Sequence, residues 1–369
     1  MKLNLNIASL KNWLKLACEP LLIAGPCSAE SEEQLLTTAH LLAQTGKVSV
    51  LRAGIWKPRT RPGEFEGVGS IGLTWLKRAK AETGLPTAVE VANAKHVEEA
   101  LASGVDILWI GARSTVNPFT VQDIADALRG VDIPVMIKNP VNPDLSLWIG
   151  ALERINNAGI DKLAAVHRGF SSIEKTAFRN EPMWEIAIQL KTLCPKLPII
   201  CDPSHICGNR ELIPYIAQKA LDLDMQGLMI ESHFNPSIAQ TDAKQQVTPG
   251  SLLELMNMLT LRTVASTDKA FTDKLTELRQ QIDKIDIQLI EKIAERMQIV
   301  EKIGEYKRDN NVTILQIARW DEIINHRHAF AEALNLNVRF TRNLLELIHQ
   351  ESIRKQTEIM NDQSNLNTK

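Results

Sequence analysis

From residue 21 onward, short apolar runs that end in a polar or charged residue alternate with segments whose apolar positions recur every three or four residues. The runs cover 21–26, 48–54, 87–91, 107–112, 134–139, 163–169, 198–204 and 227–233. Their nearly unbroken apolar character predicts strands buried on both faces, as in a parallel sheet. The segments between and after them, 32–44, 71–82, 94–103, 118–128, 145–157, 183–193, 211–220 and 252–261, predict amphipathic helices. A short amphipathic lead (Leu3, Ile7, Leu10, Leu14) precedes the first run. Eight strand–helix units in about 250 residues predict an α/β fold of the (β/α)8 TIM-barrel type. A doubly wound open sheet is the alternative, but it would spread the strand ends along a crevice rather than gather them in a ring.

The pattern lapses over 263–272 and then changes period. Residues 1–264 are assigned to the barrel, 265–272 to a linker and 273–369 to a smaller all-α domain. In that domain Leu275, Leu278, Ile282, Ile285, Leu289, Ile293, Met297, Val300 and Ile303 step by three and four, which predicts one long helix with a coiled-coil-like seam. Two further helices are expected over 317–334 and 338–359. An apolar stripe of this length needs partners to cover it.

Composition narrows the setting without altering the fold. A chain of 369 residues suits two domains, and 44% hydrophobic with 23% charged residues is the balance of a soluble globular protein. A net charge of −2 argues against nucleic-acid binding. The five cysteines, an odd number in a chain with no secretory segment, do not form a disulfide framework. Lys11, Lys15 and Glu19 interrupt the N-terminal apolar residues, so neither a signal peptide nor a membrane span is expected. A cytoplasmic location with reduced thiols follows.

Candidate chemistry sits at the ends of the apolar runs. The second run breaks into Arg52, Lys57, Arg59 and Arg61 within ten residues, between prolines and glycines that shape the loop. Cations this dense repel one another unless an anion sits among them, and a phosphate ester fits the fork of Arg and the point charge of Lys. The other ends carry Cys27, Glu90, Arg113, Lys138, His167 with Arg168, Asp202 with His205, and Glu231 with His233, followed by Asp242. A set of Cys, His, Glu and Asp suits a divalent transition metal, although a lone buried Cys is also ordinary core. Barrel topology favours the metal, because the active site of such folds lies at the C-terminal ends of the strands.

The stretches 23–30, 52–61, 111–114, 137–139, 167–169, 201–205 and 230–233 resemble the type Iβ 3-deoxy-D-arabino-heptulosonate 7-phosphate (DAHP) synthases, and the likeness runs through residues 20 to about 260. The resemblance implies metal ligands Cys27, His205, Glu231 and Asp242, with Mn2+ or a similar transition metal as cofactor. It implies a phosphoenolpyruvate (PEP) cradle of Arg52, Lys57, Arg113, Lys138 and Arg168 with Glu90 nearby. Erythrose 4-phosphate would be held by Arg59, Thr60 and Ser114, and the sequence Lys57-Pro-Arg-Thr60 points to that sugar rather than arabinose 5-phosphate. Lys57 is the candidate for proton transfer, with metal-bound water and His233 as rivals.

Residues 273–357 resemble the all-helical chorismate mutases. The resemblance places Arg279, Arg296, Lys307, Arg319, Ser352 and Gln356 around the carboxylates and ether oxygen of chorismate, where their task is electrostatic. Gln316 and Trp320 stand where well-known single-function members carry acidic residues; Gln316 can still hydrogen-bond the substrate. On a continuous helix Arg279 and Arg296 lie roughly 25 Å apart, too far to touch one chorismate, whereas Arg296 and Lys307 lie about 16 Å apart and could flank it. Arg279 is therefore expected from a second chain, in a homodimer or larger assembly formed through the helical domain. The whole chain is expected to be a bifunctional enzyme of aromatic amino acid biosynthesis with feedback by prephenate. The alternative is a synthase whose helical domain only binds a regulatory ligand.

Overall fold

A computed structural model describes residues 3–13, 19–58, 63–174, 176–315, 326–327 and 329–361. The chain divides into two compact units, Met1–Val264 and Ala265–Lys369.

In the first unit eight strands, β1 (Leu21–Gly25), β2 (Val50–Ala53), β3 (Thr87–Val91), β4 (Ile107–Ile110), β5 (Val135–Lys138), β6 (Leu163–His167), β7 (Ile199–Cys201) and β8 (Gly227–Glu231), pair in parallel and in sequence order. β8 closes on β1 through the register Leu21 with Gly227 to Gly25 with Glu231, so this is a closed barrel and not an open sheet. Successive strand residues point to opposite faces. Ile23, Val50, Ala88, Ile107, Trp109, Met136, Val166, Ile200 and Met229 fill the interior, joined by Trp13 of the lead segment. Their neighbours Leu22, Leu51, Val89, Leu108, Ile137, Ala165, Ile199 and Leu228 pack outward against the helices. Both faces are buried, which is why the strand segments read as continuous apolar runs.

The helices Glu32–Gln44 and Leu145–Asn157 occupy the spans their periodicity predicts. Each is started by a side-chain cap, Ser31 accepting from the Gln34 amide and Asp144 from the Leu147 amide. Two short helices, Ala112–Thr115 and Pro203–Cys207, were not expected. They take over the ends of the apolar runs after β4 and β7, and each is too short to show a helical period in sequence.

The second unit contains the helices Lys269–Asp309 and Val338–Asn361, which pack against each other. The first begins inside the expected linker 265–272 and corrects its boundary: the Asp268 side chain accepts from the amides of Ala270 and Phe271 and starts the helix at Lys269. Close approach of the two helices is permitted by Gly304, where a Cβ would lie 3.1 Å from Ile359 Cδ1 and 3.3 Å from Gln356 Cγ. The apolar stripe stays open: Ile282 is 56% exposed and Leu289 55%. Most of the expected helix 317–334 falls outside the described residues.

Candidate functional site

Alternation along the strands builds the barrel mouth. Two residues beyond the inward-facing Val50, Ala88, Met136, Val166, Ile200 and Met229 stand Arg52, Glu90, Lys138, Arg168, Asp202 and Glu231. The inward row therefore changes from apolar to charged at the C-terminal end of six strands. On β1 and β4 the corresponding positions are Gly25 and Gly111. A Cβ at Gly25 would meet the Arg52 carbonyl at 2.0 Å, which excludes any larger residue there, and one at Gly111 would meet Glu90 Oε1 at 2.0 Å, so the Glu90 carboxylate would have to move aside. His167 faces the other way and is buried among Trp148, Phe170 and Trp184.

Metal-type donors gather on one side. Ligand atoms of Cys27, Glu231 and Asp242 lie within 4.8 Å of one another, so a small inward movement of these side chains would bring all three within about 2.0–2.3 Å of a single ion. His205 Nε2 stands 3.6 Å from Glu231 Oε1, while its Nδ1 is 2.8 Å from Asp202 Oδ2. The Asp202 carboxylate thus fixes the ring with Nε2 toward the donors, the usual arrangement behind a metal-ligating imidazole. Glu231 Oε1 is buried and has no hydrogen bond among the described residues. Burial, then the nearby Glu231, push the Cys27 thiol up to about 12 against the opposing pull of Lys57. Donor types and spacing fit a divalent ion.

Cations stand beside these donors, around a cavity of about 200 Å3 lined by Lys57, Glu90, Arg113, Lys138, Arg168 and His205, among others. Lys57 Nζ donates to the Cys27 carbonyl at 2.9 Å and reaches Cys27 Sγ at 3.0 Å. Lys138 Nζ bonds Asp202 Oδ2 at 2.8 Å. Arg52 is buried over the Trp109 ring, 4.9 Å from its centroid, with Nε and Nη1 unpaired among the described residues. Arg168 donates to Asn180 Oδ1 at 2.8 Å, and burial lowers its guanidinium to about 10, so it stays charged at neutral pH. Burial pushes the Asp202 carboxyl up, but His205 and Lys138 outweigh it and hold the group well below its ordinary value. Glu90 accepts from Trp109 Nε1 at 3.1 Å.

A smaller polar cluster lies between the two long helices of the second unit. Arg296 Nη1 donates to Ser352 Oγ at 2.6 Å, and Gln356 Nε2 donates to the Ser352 carbonyl at 3.2 Å. Gln356 Oε1 is buried without a partner among the described residues. Lys307 Nζ donates to the Ile314 carbonyl at 2.6 Å. Burial, then Arg327, lowers the Arg296 guanidinium from its ordinary value. Arg279 is exposed on the same helix, 17 residues before Arg296, and takes no part in this cluster.

Residues 18–266 match the family model described as the DAHP synthetase I family. The chain belongs to the DAHP synthetase I family. Residues 278–357 match the model of chorismate mutase type II. A phospho-2-dehydro-3-deoxyheptonate aldolase of Thermotoga maritima is 34% identical over 226 residues, covering 61% of this chain and 64% of that protein. The chain thus spans less than two thirds of that relative's length. A 2-dehydro-3-deoxyphosphooctonate aldolase of Acidithiobacillus ferrooxidans is 27% identical, covering 64% of this chain and 87% of that protein. A crystal structure of a DAHP synthase from Thermotoga maritima matches with a TM-score of 0.58 and 31% identity over 64% of this chain and 67% of that one. A truncated form of the synthase from that organism matches at 0.56 and 30%, covering 64% and 84%.

Of the residues that the DAHP synthetase likeness singles out, the fold brings Cys27, His205, Glu231, Asp242, Arg52, Lys57, Glu90, Arg113, Lys138 and Arg168 to one mouth. Ser114, buried in the helix Ala112–Thr115, lies outside the cavity lining. Arg59, Thr60, Gln316, Arg319 and Trp320 fall outside the described residues. His233 is buried with Nδ1 accepting from the Asn235 amide at 2.9 Å, away from the cavity lining. Asp202 stands among the candidate strand-end residues without a specific role, and Asn180, Arg179, Gln245 and Gln246 are absent from the sequence-based expectations. Gln246 Oε1 accepts from the Cys27 amide at 3.0 Å, and Asn180 Nδ2 donates to the His205 carbonyl at 2.6 Å. Only Asp202, by its place at a strand end, carried a visible signal.

Proposed function

We propose that the barrel condenses PEP with erythrose 4-phosphate to DAHP and phosphate, and that the helical unit rearranges chorismate to prephenate. The observation that supports the first step most strongly is the inward row of charged residues at one barrel mouth, where cations stand beside Cys27, His205, Glu231 and Asp242. Those four residues would hold a divalent ion, Mn2+ or a similar transition metal, which would supply Lewis acidity toward the sugar aldehyde. Arg52, Arg113, Lys138 and Arg168 receive the phosphate and carboxylate of PEP, their positive charges matching an anionic substrate. Lys57 moves the proton, because its ammonium reaches into the cavity from the loop that starts at Arg52. Arg59, Thr60 and Ser114 hold the erythrose phosphate. Treatment with a chelator is expected to abolish phosphate release from the two substrates, and added Mn2+ to restore it. Release that persists without metal removes the ion from the reading.

In the helical unit Arg296, Lys307, Ser352 and Gln356 hold the carboxylates and ether oxygen of chorismate, with Arg319 and Gln316 completing the set. Arg279 reaches the site from a second chain in a homodimer that also covers the exposed stripe around Ile282 and Leu289. Prephenate feeds back on the synthase. No helix among the described residues is long and apolar enough to cross a membrane, and the reading places the enzyme in the cytoplasm. Loss of chorismate absorbance with the full chain, abolished by Arg296→Ala, supports the mutase. Binding of chorismate or prephenate without turnover makes the unit a regulatory module instead.

A further inference from the structure

Two side chains outside the candidate ligand set join its carboxylates into one unit. Gln245 Nε2 donates to Glu231 Oε2 at 2.7 Å, and Gln245 Oε1 accepts from Arg179 Nη1 at 2.8 Å. The same Nη1 donates to Asp242 Oδ1 at 2.8 Å. A guanidinium NH2 carries two protons, so both bonds form together. The amide orientation is fixed as well, since its oxygen only accepts and its nitrogen only donates. Each carboxylate keeps one oxygen outside the bridge: Glu231 Oε1 has no hydrogen bond among the described residues, and Asp242 Oδ2 lies 3.4 Å from Cys27 Sγ.

The bridge spans two loops. Arg179 comes from the segment after β6, Gln245 and Asp242 from the segment after β8. Asp242 itself sits in the left-handed region at φ 48°, so its side chain is aimed from a turn rather than from a regular element. Two carboxylates facing one space repel; Arg52 Nη2 lies 3.4 Å from Glu231 Oε1 on one side, and Arg179 supplies the positive charge that ties Asp242, through Gln245, to the other Glu231 oxygen.

We propose that Arg179, acting through Gln245, is a positioning residue that presets the distance between the Glu231 and Asp242 oxygens and thereby fixes how tightly the site holds its ion. This rests on reading Cys27, His205, Glu231 and Asp242 as ligands. Outer partners of metal ligands typically contribute ten- to a hundredfold in affinity. Arg179 is about half exposed, 46% by side chain, so its replacement leaves the barrel core intact.

The test uses full-length protein stripped with a chelator and titrated with Co2+. Absorption from charge transfer between the Cys27 thiolate and cobalt reports occupancy and geometry, and competition with the chelator gives Kd. Arg179→Met is expected to raise Kd by about ten- to a hundredfold and to change the cobalt spectrum. Its unfolding temperature, measured without metal, should fall by no more than a few degrees, because solvent screens the half-exposed Arg179–Asp242 pair. Arg179→Lys should recover part of the affinity, because an ammonium can still donate to both oxygens. Gln245→Leu should repeat the loss by an independent route. A wild-type protein that gives no thiolate–cobalt band overturns the ligand reading and the bridge with it. A wild-type band together with unchanged Kd and spectrum in both Arg179→Met and Gln245→Leu overturns the positioning role alone.

Discussion

Asp202→Asn removes one negative charge from the floor of the mouth and changes almost no volume. Asp202 is fully buried; its Oδ2 stands 2.8 Å from both Lys138 Nζ and His205 Nδ1, and its Oδ1 caps the helix Pro203–Cys207 by accepting from the His205 amide at 3.1 Å. Asn keeps a cap oxygen, so the helix start survives. The Lys138 ammonium then stays buried with no counter-charge at that oxygen. Removing one partner of a buried pair destabilises by about 3–5 kcal/mol. For a unit of this size each kcal/mol lowers the unfolding temperature by roughly 2–4 °C, which gives a drop of about 6–20 °C. Calorimetry of the ligand-free protein measures it directly. A phosphate-bearing ligand at Lys138 would replace the missing charge, so PEP should raise the unfolding temperature of the variant more than that of the wild type. A variant that unfolds within about 2 °C of the wild type, with or without PEP, refutes the account of Asp202 as counter-ion.

Three further outcomes are expected. Burial, then Arg168, lowers the His167 imidazole from its ordinary 6.5 to about 3. Between those values only the unfolded chain takes up this proton, so stability is full above pH 6.5 and falls as pH drops, by about 1.4 kcal/mol per pH unit. Denaturant melts of His167→Gln should show a correspondingly shallower acid slope, and an identical slope refutes it. Gly111→Ala places a Cβ 2.0 Å from Glu90 Oε1, so the carboxylate must leave Trp109 and synthase turnover should fall by roughly a hundredfold; wild-type turnover would refute the close fit. Gly304→Leu should force the two mutase helices apart at about 1–3 kcal/mol and reduce chorismate turnover severalfold or more with DAHP formation retained. Steady-state rates of both reactions in one preparation decide that case.

The eight strands were legible because burial on both faces leaves an unbroken apolar signature, and the strand ends were legible because the runs stop at polar or charged residues. Alternation carries more information than the ends alone. His167 and Arg168 are neighbours in sequence, yet period two sends Arg168 into the mouth and His167 among aromatic rings. The short helices after β4 and β7 left no periodic trace. Arg179, Asn180, Gln245 and Gln246 were not legible, since they lie in aperiodic loops and act through partners 12 to 219 residues away. The seam of the helical unit read clearly as apolar, but which surface covers it is a property of an assembly rather than of one chain.

Anomalous diffraction from crystals of the full chain grown with Mn2+ and PEP tests the central claim most directly. The account predicts one manganese peak about 2.0–2.6 Å from Cys27 Sγ, His205 Nε2, Glu231 and Asp242, with the PEP phosphate and carboxylate on Arg52, Lys138 and Arg168. A peak that shares no ligand with Cys27 and Glu231, or PEP bound elsewhere than at the barrel mouth, contradicts it.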